Sequence, residues 1–146
     1  MEVGSLSEWA WLELASLEWK MGRPLRLYAF ARDSMTPKMM ERAIDVDERG
    51  VDGRSSLYDL NDPSCTGISF DVQGVVATQL ITVKVLNEAA AQIEREGLEE
   101  FAFVCHGGTH RSVACCMLLA MIVYREAVIH LSTPRTNHAA DLAGMC

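Results

Sequence analysis

The segment FVCHGGTHRS, Phe103 to Ser112, joins an apolar run to a glycine-rich turn and the turn to a helix-like stretch. A turn that feeds a helix N-terminus aims several backbone N–H groups at one point. The helix dipole adds partial positive charge there, so the segment is a candidate cradle for phosphate or sulfate. Counting from Cys105, the string C-H-G-G-T-H-R-S has the C-x5-R-[ST] spacing, with Arg111 followed by Ser112. A loop of that size can wrap a tetrahedral oxyanion. Amides donate inward, the Arg111 guanidinium adds a two-pronged charged contact, and the Cys105 thiol lies beneath as a candidate nucleophile. Gly107 and Gly108 let the backbone approach a ligand closely and adopt positive φ.

On the C-terminal side of the loop, SVACCMLLAMIVY, residues 112 to 124, is the longest apolar run. It falls short of the ~20 residues that cross a bilayer and has Arg111 and Arg125 at its ends, so it reads as a buried helix. Val128 to Leu131 then reads as a short strand. On the N-terminal side, Phe101 to Cys105 reads as a buried strand. Before it, Val76, Leu80, Val83, Leu86, Ala90 and Ile93 recur at three- and four-residue steps, which predicts one helix from Gln73 to Glu96 with Gly97 as its C-cap.

Residues 47 to 67 are rich in Asp, Gly, Ser, Asn and Pro without a sustained period, and predict a long loop. Ile44 to Val46 reads as a brief strand, and Ser34 or Thr36 ahead of Pro37 as a helix start. Leu25 to Ala31 alternates like a strand with Leu25, Leu27 and Ala29 on one side. In the first segment Leu6, Trp9, Leu12 and Leu17 fall roughly on one helical stripe. The expected organisation is an N-terminal helical extension over residues 1 to 22 and a single α/β domain over 23 to 146. That domain holds a small, mostly parallel sheet flanked by helices, with the strand-loop-helix anion-binding element at its edge.

Composition narrows the partners. A formal charge of −7 opposes broad attraction to nucleic acid or an anionic membrane, while a local basic pocket survives on an acidic surface. RNA therefore has thin support, with no interleaved basic and aromatic stripe. The five cysteines are odd in number and show no C-x-x-C pair, which favours reduced thiols inside a cell, most simply the cytoplasm. Glu2 to Trp19 has no basic start and no small-residue cleavage site, so no secretory signal is read. His106 and His110 stand four apart, but the glycines between them argue for a turn and no H-E-x-x-H follows, so neither a metal nor a cofactor is expected.

Two resemblances attach to the loop. C-x-x-G-x-x-R-S looks like the signature loop of cysteine-dependent phosphatases, which implies Cys105 as nucleophile, Arg111 as stabiliser of the phosphoryl oxygens, and an acid from another loop. The chain has no W-P-D string, leaving Asp59, Asp62 and Asp71 as candidate acids. The string C-x-G-G-x-H-R-S-V, from Cys105 to Val113, is similar in more detail to the signature of the RapZ C-terminal domain family. The likeness runs upstream through the D-x-R step Asp47 to Arg49, with Asp52 and Arg54 as an alternative match, then through Asn61 to Pro63 and Thr66-Gly67.

That second resemblance implies an α/β domain that binds a phosphorylated small molecule or similar oxyanion. In bacterial members the domain follows a nucleotide-binding P-loop domain within an RNase adapter that binds small RNA. This chain carries no G-x-x-x-x-G-K-[ST] string, so no kinase or ATPase activity is carried over. The candidate ligand-binding set is Cys105, His106, Gly107, Gly108, Thr109, His110, Arg111 and Ser112, with Asp47 and Arg49 implied by the resemblance. Within that set Arg111 and His110 are the main contacts, Thr109 acts through its main-chain N–H, and Ser112 is read as the helix N-cap. His130, Arg135 and His138 offer further positive or titratable groups after the last strand.

Overall fold

The structure is a computed structural model, and it describes residues 25–53, 66–108 and 110–131. Four strands, β1 (Arg26–Ala31), β2 (Ala43–Asp45), β3 (Glu100–Cys105) and β4 (Val128–Leu131), form one sheet in the order β2-β3-β1-β4. Every neighbouring pair is parallel, so the chain is an α/β domain with a small parallel sheet. Three α-helices accompany it among the described residues: α1 (Phe70–Ala77), α2 (Leu80–Glu96) and α3 (Arg111–Ile122). None is long and apolar enough to cross a membrane. The expected extension over residues 1 to 22 lies outside the described residues.

Position in the sheet explains the two strand patterns. β3 is flanked on both sides, and Phe101 to Cys105 is buried without alternation, as a central parallel strand requires. In β1 the alternation survives. Leu27 and Ala29 join Phe101, Phe103 and Cys105 in the core beneath the helices, whereas Tyr28 and Phe30 stack on the other face at 5.5 Å. His130 of β4 stacks on its cross-strand partner Tyr28 at 4.8 Å.

The run from Gln73 to Glu96 is two helices, not one. α1 begins at Phe70, with Ser69 Oγ accepting from the Val72 amide, and ends before Thr78; α2 restarts at Leu80. The break carries no glycine or proline. Gln79 turns extended (φ −91°, ψ 133°), and its Nε2 donates to the Val75 carbonyl, as does Thr78 Oγ1, supplying partners to a carbonyl that a continuing helix would have paired. The Gln79 amide group also brackets Asp52, accepting from its N–H at 2.8 Å and donating to its carbonyl, which ties the loop after β2 to this corner. α2 ends as expected: Gly97 is left-handed at φ 62° and its N–H caps the Ile93 carbonyl.

Between β1 and β2, the proline-led start yields only a 3-10 turn, Met39–Arg42, with Thr36 Oγ1 accepting from the Met39 amide. The register then aligns the strands where they end. Ala31 pairs with Cys105, and Asp45 with Val104, so the residues after β1, β2 and β3 emerge together at the carboxyl edge of the sheet. In open parallel sheets this edge is where ligands sit.

Candidate functional site

The loop from Cys105 to Arg111 is held between two glycine contacts. Gly108 is left-handed (φ 68°), and a Cβ on it would stand 2.6 Å from the Ala31 amide nitrogen and 2.9 Å from the Phe30 carbonyl carbon. The loop is thus pressed onto the end of β1, in a conformation and a space that only glycine fits. From the other side, Gly67 abuts the first turn of α3. A Cβ there would lie 2.6 Å from Val113 Cβ and closer still to the His110 carbonyl oxygen and the Ala114 amide, which are hydrogen-bonded to each other at 2.9 Å. Buried Gln73 fixes that flank, donating to the carbonyls of Gly67 and Ile68 at 3.0 Å each.

His110, not Ser112, is the N-cap of α3, and its side chain makes no capping hydrogen bond to the helix. The helix begins earlier than the serine signal suggests because the His110 carbonyl already accepts its first bond. Ser112 consequently turns inward and is fully buried; its Oγ accepts from the Cys105 thiol at 3.2 Å. Cys105 is itself only 2% exposed, so the thiol and the hydroxyl form a buried pair beneath the loop. His106 is exposed, Gly107 half-buried, and Thr109 lies outside the described residues. Cys115 and Cys116 are core residues of α3, and burial pushes both thiols far above the ordinary range.

Arg111, the first residue of α3, reaches across the edge to the loop after β2. Its Nη1 lies 2.5 Å from Asp47 Oδ1. The other oxygen of the same carboxylate, Oδ2, accepts from Arg32 Nη2 at 3.1 Å, so Asp47 lies between two guanidinium groups. Arg32, the residue after β1, also grips Asp45 with two bonds, Nε to Oδ2 at 2.7 Å and Nη2 to Oδ1 at 3.2 Å. Asp45 Oδ1 accepts as well from the amides of Asp47 (3.1 Å) and Glu48 (3.0 Å).

These contacts set the charge states. Burial alone would raise the Asp45 pKa, but the Arg32 hydrogen bond, the Glu48 amide, the Arg32 charge and the Asp47 amide together hold it below the usual carboxylate range. The Asp45 hydrogen bond, helped by its charge and by Asp47, outweighs desolvation and pushes the Arg32 guanidinium further toward its protonated form.

The structure therefore brings Asp47 to the loop and leaves Arg49 elsewhere, its Nη1 on Glu88 of α2 at 2.5 Å. Arg54, Asp59, Asn61, Asp62, Pro63, Arg135 and His138 lie outside the described residues, and Asp71 is an exposed residue in the first turn of α1. Arg32 and Asp45 were missed by sequence reasoning. Their signal was positional: each stands at or just after the end of a strand that the parallel sheet brings to the ligand edge. A cavity of about 270 Å³ lies away from this edge, lined by Tyr28 and Phe30 with Lys38, Arg42 and Glu100. Among the described residues no cluster of three or more His, Cys, Asp or Glu is arranged to hold a metal ion. Comparisons with protein-family models, curated proteins and solved structures find no match.

Proposed function

We propose that this chain is a phosphoanion-binding α/β domain resembling the RapZ C-terminal module, regulatory or adapter-like in role, which takes a phosphorylated metabolite or a nucleotide or RNA phosphate at the loop from Cys105 to Ser112. Arg111 and His110 are its main contacts. One observation carries the reading: Arg111 stands at the N-terminus of α3, where the helix dipole disfavours a cation, and its guanidinium is matched there by a carboxylate. A cationic side chain in that place is stabilised by an anion, and a phosphate has the charge and the oxygens to serve.

Thermal-shift titration with inorganic phosphate and sulfate tests this, because a ligand of the native state must raise the melting temperature. The shift is expected in the wild-type chain and lost in Arg111→Ala. A full shift in Arg111→Ala removes the proposed contact.

The Cys105–Ser112 pair gives a second reading specific support, that of a cysteine-dependent phosphatase. Cys105 Sγ would attack phosphorus while the bond to the leaving oxygen breaks and that oxygen takes a proton. Water would then release phosphate from the cysteinyl-phosphate and restore the thiol. Incubation with an aryl phosphate separates the readings: turnover abolished by Cys105→Ser establishes the enzyme, and no turnover in the wild type removes it.

A further inference from the structure

Asp45 and Asp47 meet the same arginine and are built into the edge differently. Asp45 is 7% exposed, doubly bonded by Arg32 and capped by two backbone amides, so its carboxylate is fixed from several directions. The Asp47 side chain is 25% exposed and held by one bond from each guanidinium, Arg32 on one oxygen and Arg111 on the other. The main chain beneath it is fastened. Val46 N–H bonds the Val104 carbonyl at 2.8 Å, Val51 N–H bonds the Val46 carbonyl at 3.0 Å, Gly50 N–H bonds the Asp47 carbonyl at 3.1 Å, and both valines are buried. The Asp47 carboxylate can thus leave the two arginines by side-chain rotation toward water, with the backbone unmoved.

We infer that Asp47 is a displaceable resident anion in a two-arginine clamp, Arg32 and Arg111, whose place a phosphate-type oxyanion takes. This deepens the proposed function and rests on it. Among the described residues, the two guanidinium groups face two carboxylates with Asp47 in place and one, Asp45, with Asp47 rotated out, and a ligand anion restores the balance. The geometry selects for an anion that offers separate oxygens to guanidinium groups on two elements, as Asp47 does, over a single-centre ion such as chloride. It also makes Arg32 a ligand contact, although Arg32 is outside the signature string. Because the clamp accepts a ligand only in the fraction of molecules with Asp47 displaced, the apparent affinity is weaker than that of the bare clamp by that fraction.

Inorganic phosphate, titrated calorimetrically at fixed ionic strength into the wild type and Asp47→Asn, tests the displacement. Loss of the resident charge should tighten phosphate binding by about ten-fold, with chloride gaining less. Equal or weaker binding by Asp47→Asn, with binding intact in the wild type, overturns the displacement and leaves the proposed function standing. Phosphate binding to neither protein removes both. Should Asp47→Asn not fold, the wild type serves alone: phosphate should move the side-chain Nε–H resonances of both Arg32 and Arg111, and an unmoved Arg32 signal in a phosphate-bound protein sinks the idea.

Discussion

Gly108→Ala should be among the more damaging single-methyl additions in the described chain, and three other glycines allow its cost to be taken apart. Gly97 is left-handed at φ 62° with nothing among the described residues within 4 Å of an added Cβ, so Gly97→Ala carries the conformational penalty alone, about 1 kcal/mol. Gly50, at φ 90° and equally open, serves as a second control of the same kind. Gly67 has no positive φ, yet its Cβ would meet the first turn of α3, so Gly67→Ala carries the steric penalty alone, about 2 kcal/mol. Gly108 combines a φ of 68° with a Cβ position 2.6 Å from the Ala31 amide nitrogen, and that neighbour is backbone that cannot rotate away. The contact is looser than at Gly67, so a steric penalty of about 1 to 2 kcal/mol adds to a left-handed penalty of about 1 to 2 kcal/mol, together about 3 kcal/mol.

For a domain of this size, thermal melts should show Gly97→Ala lower by about 3 °C and Gly108→Ala lower by about 9 °C. Urea titrations at a common m-value would confirm that the losses are in stability. If Gly108→Ala melts within experimental error of Gly97→Ala, the loop is not pressed against β1, and the construction of the site fails with it.

Two further outcomes follow from buried polar groups. Thr82 is fully buried in α2 and its hydroxyl has no hydrogen-bond partner among the described residues, so Thr82→Val, nearly equal in shape, should raise stability by about 1 kcal/mol in urea titrations; a loss of stability would refute the assignment of that hydroxyl as unsatisfied. Asp45 has a folded-state pKa held below its ordinary 3.8, so its contribution is fully present above that value and disappears as pH falls through the lower folded value. The urea midpoint should therefore drop below about pH 4, and Asp45→Asn should flatten that part of the profile; an unchanged slope would show that Arg32 does not favour the carboxylate.

The elements with strong local signals were legible in the sequence. β1, β3 and β4 follow from apolar alternation or an unbroken apolar run, and Gly97 marks a helix end that the structure confirms to the residue. The break at Thr78 and Gln79 was not legible. The apolar spacing continues through it, and the interruption depends on Gln79 reaching a loop residue, Asp52, that is 27 positions away. Ser112 misled for a related reason: a serine near a helix start usually caps it, but here the hydroxyl faces a cysteine beneath the loop. Arg32 and Asp45 carry no motif at all. Their proximity to Arg111 is a property of strand order, which puts the ends of β1 and β2 on either side of β3.

That strand order also dictates when the sheet can be assembled as the chain is made. β1 and β2 both take β3 as a hydrogen-bonded neighbour, and Arg26 stands opposite Glu100, 74 residues further on. During synthesis the first two strands emerge from the ribosome with their apolar sides unmatched, and neither can pair with β3 before that strand has been translated. Such distant pairing slows folding and leaves a window in which the half-made chain is prone to self-association. Delayed translation before codon 100, or scarcity of chaperones that hold nascent chains, should therefore lower the yield of this protein more than it lowers that of a helical bundle of equal length.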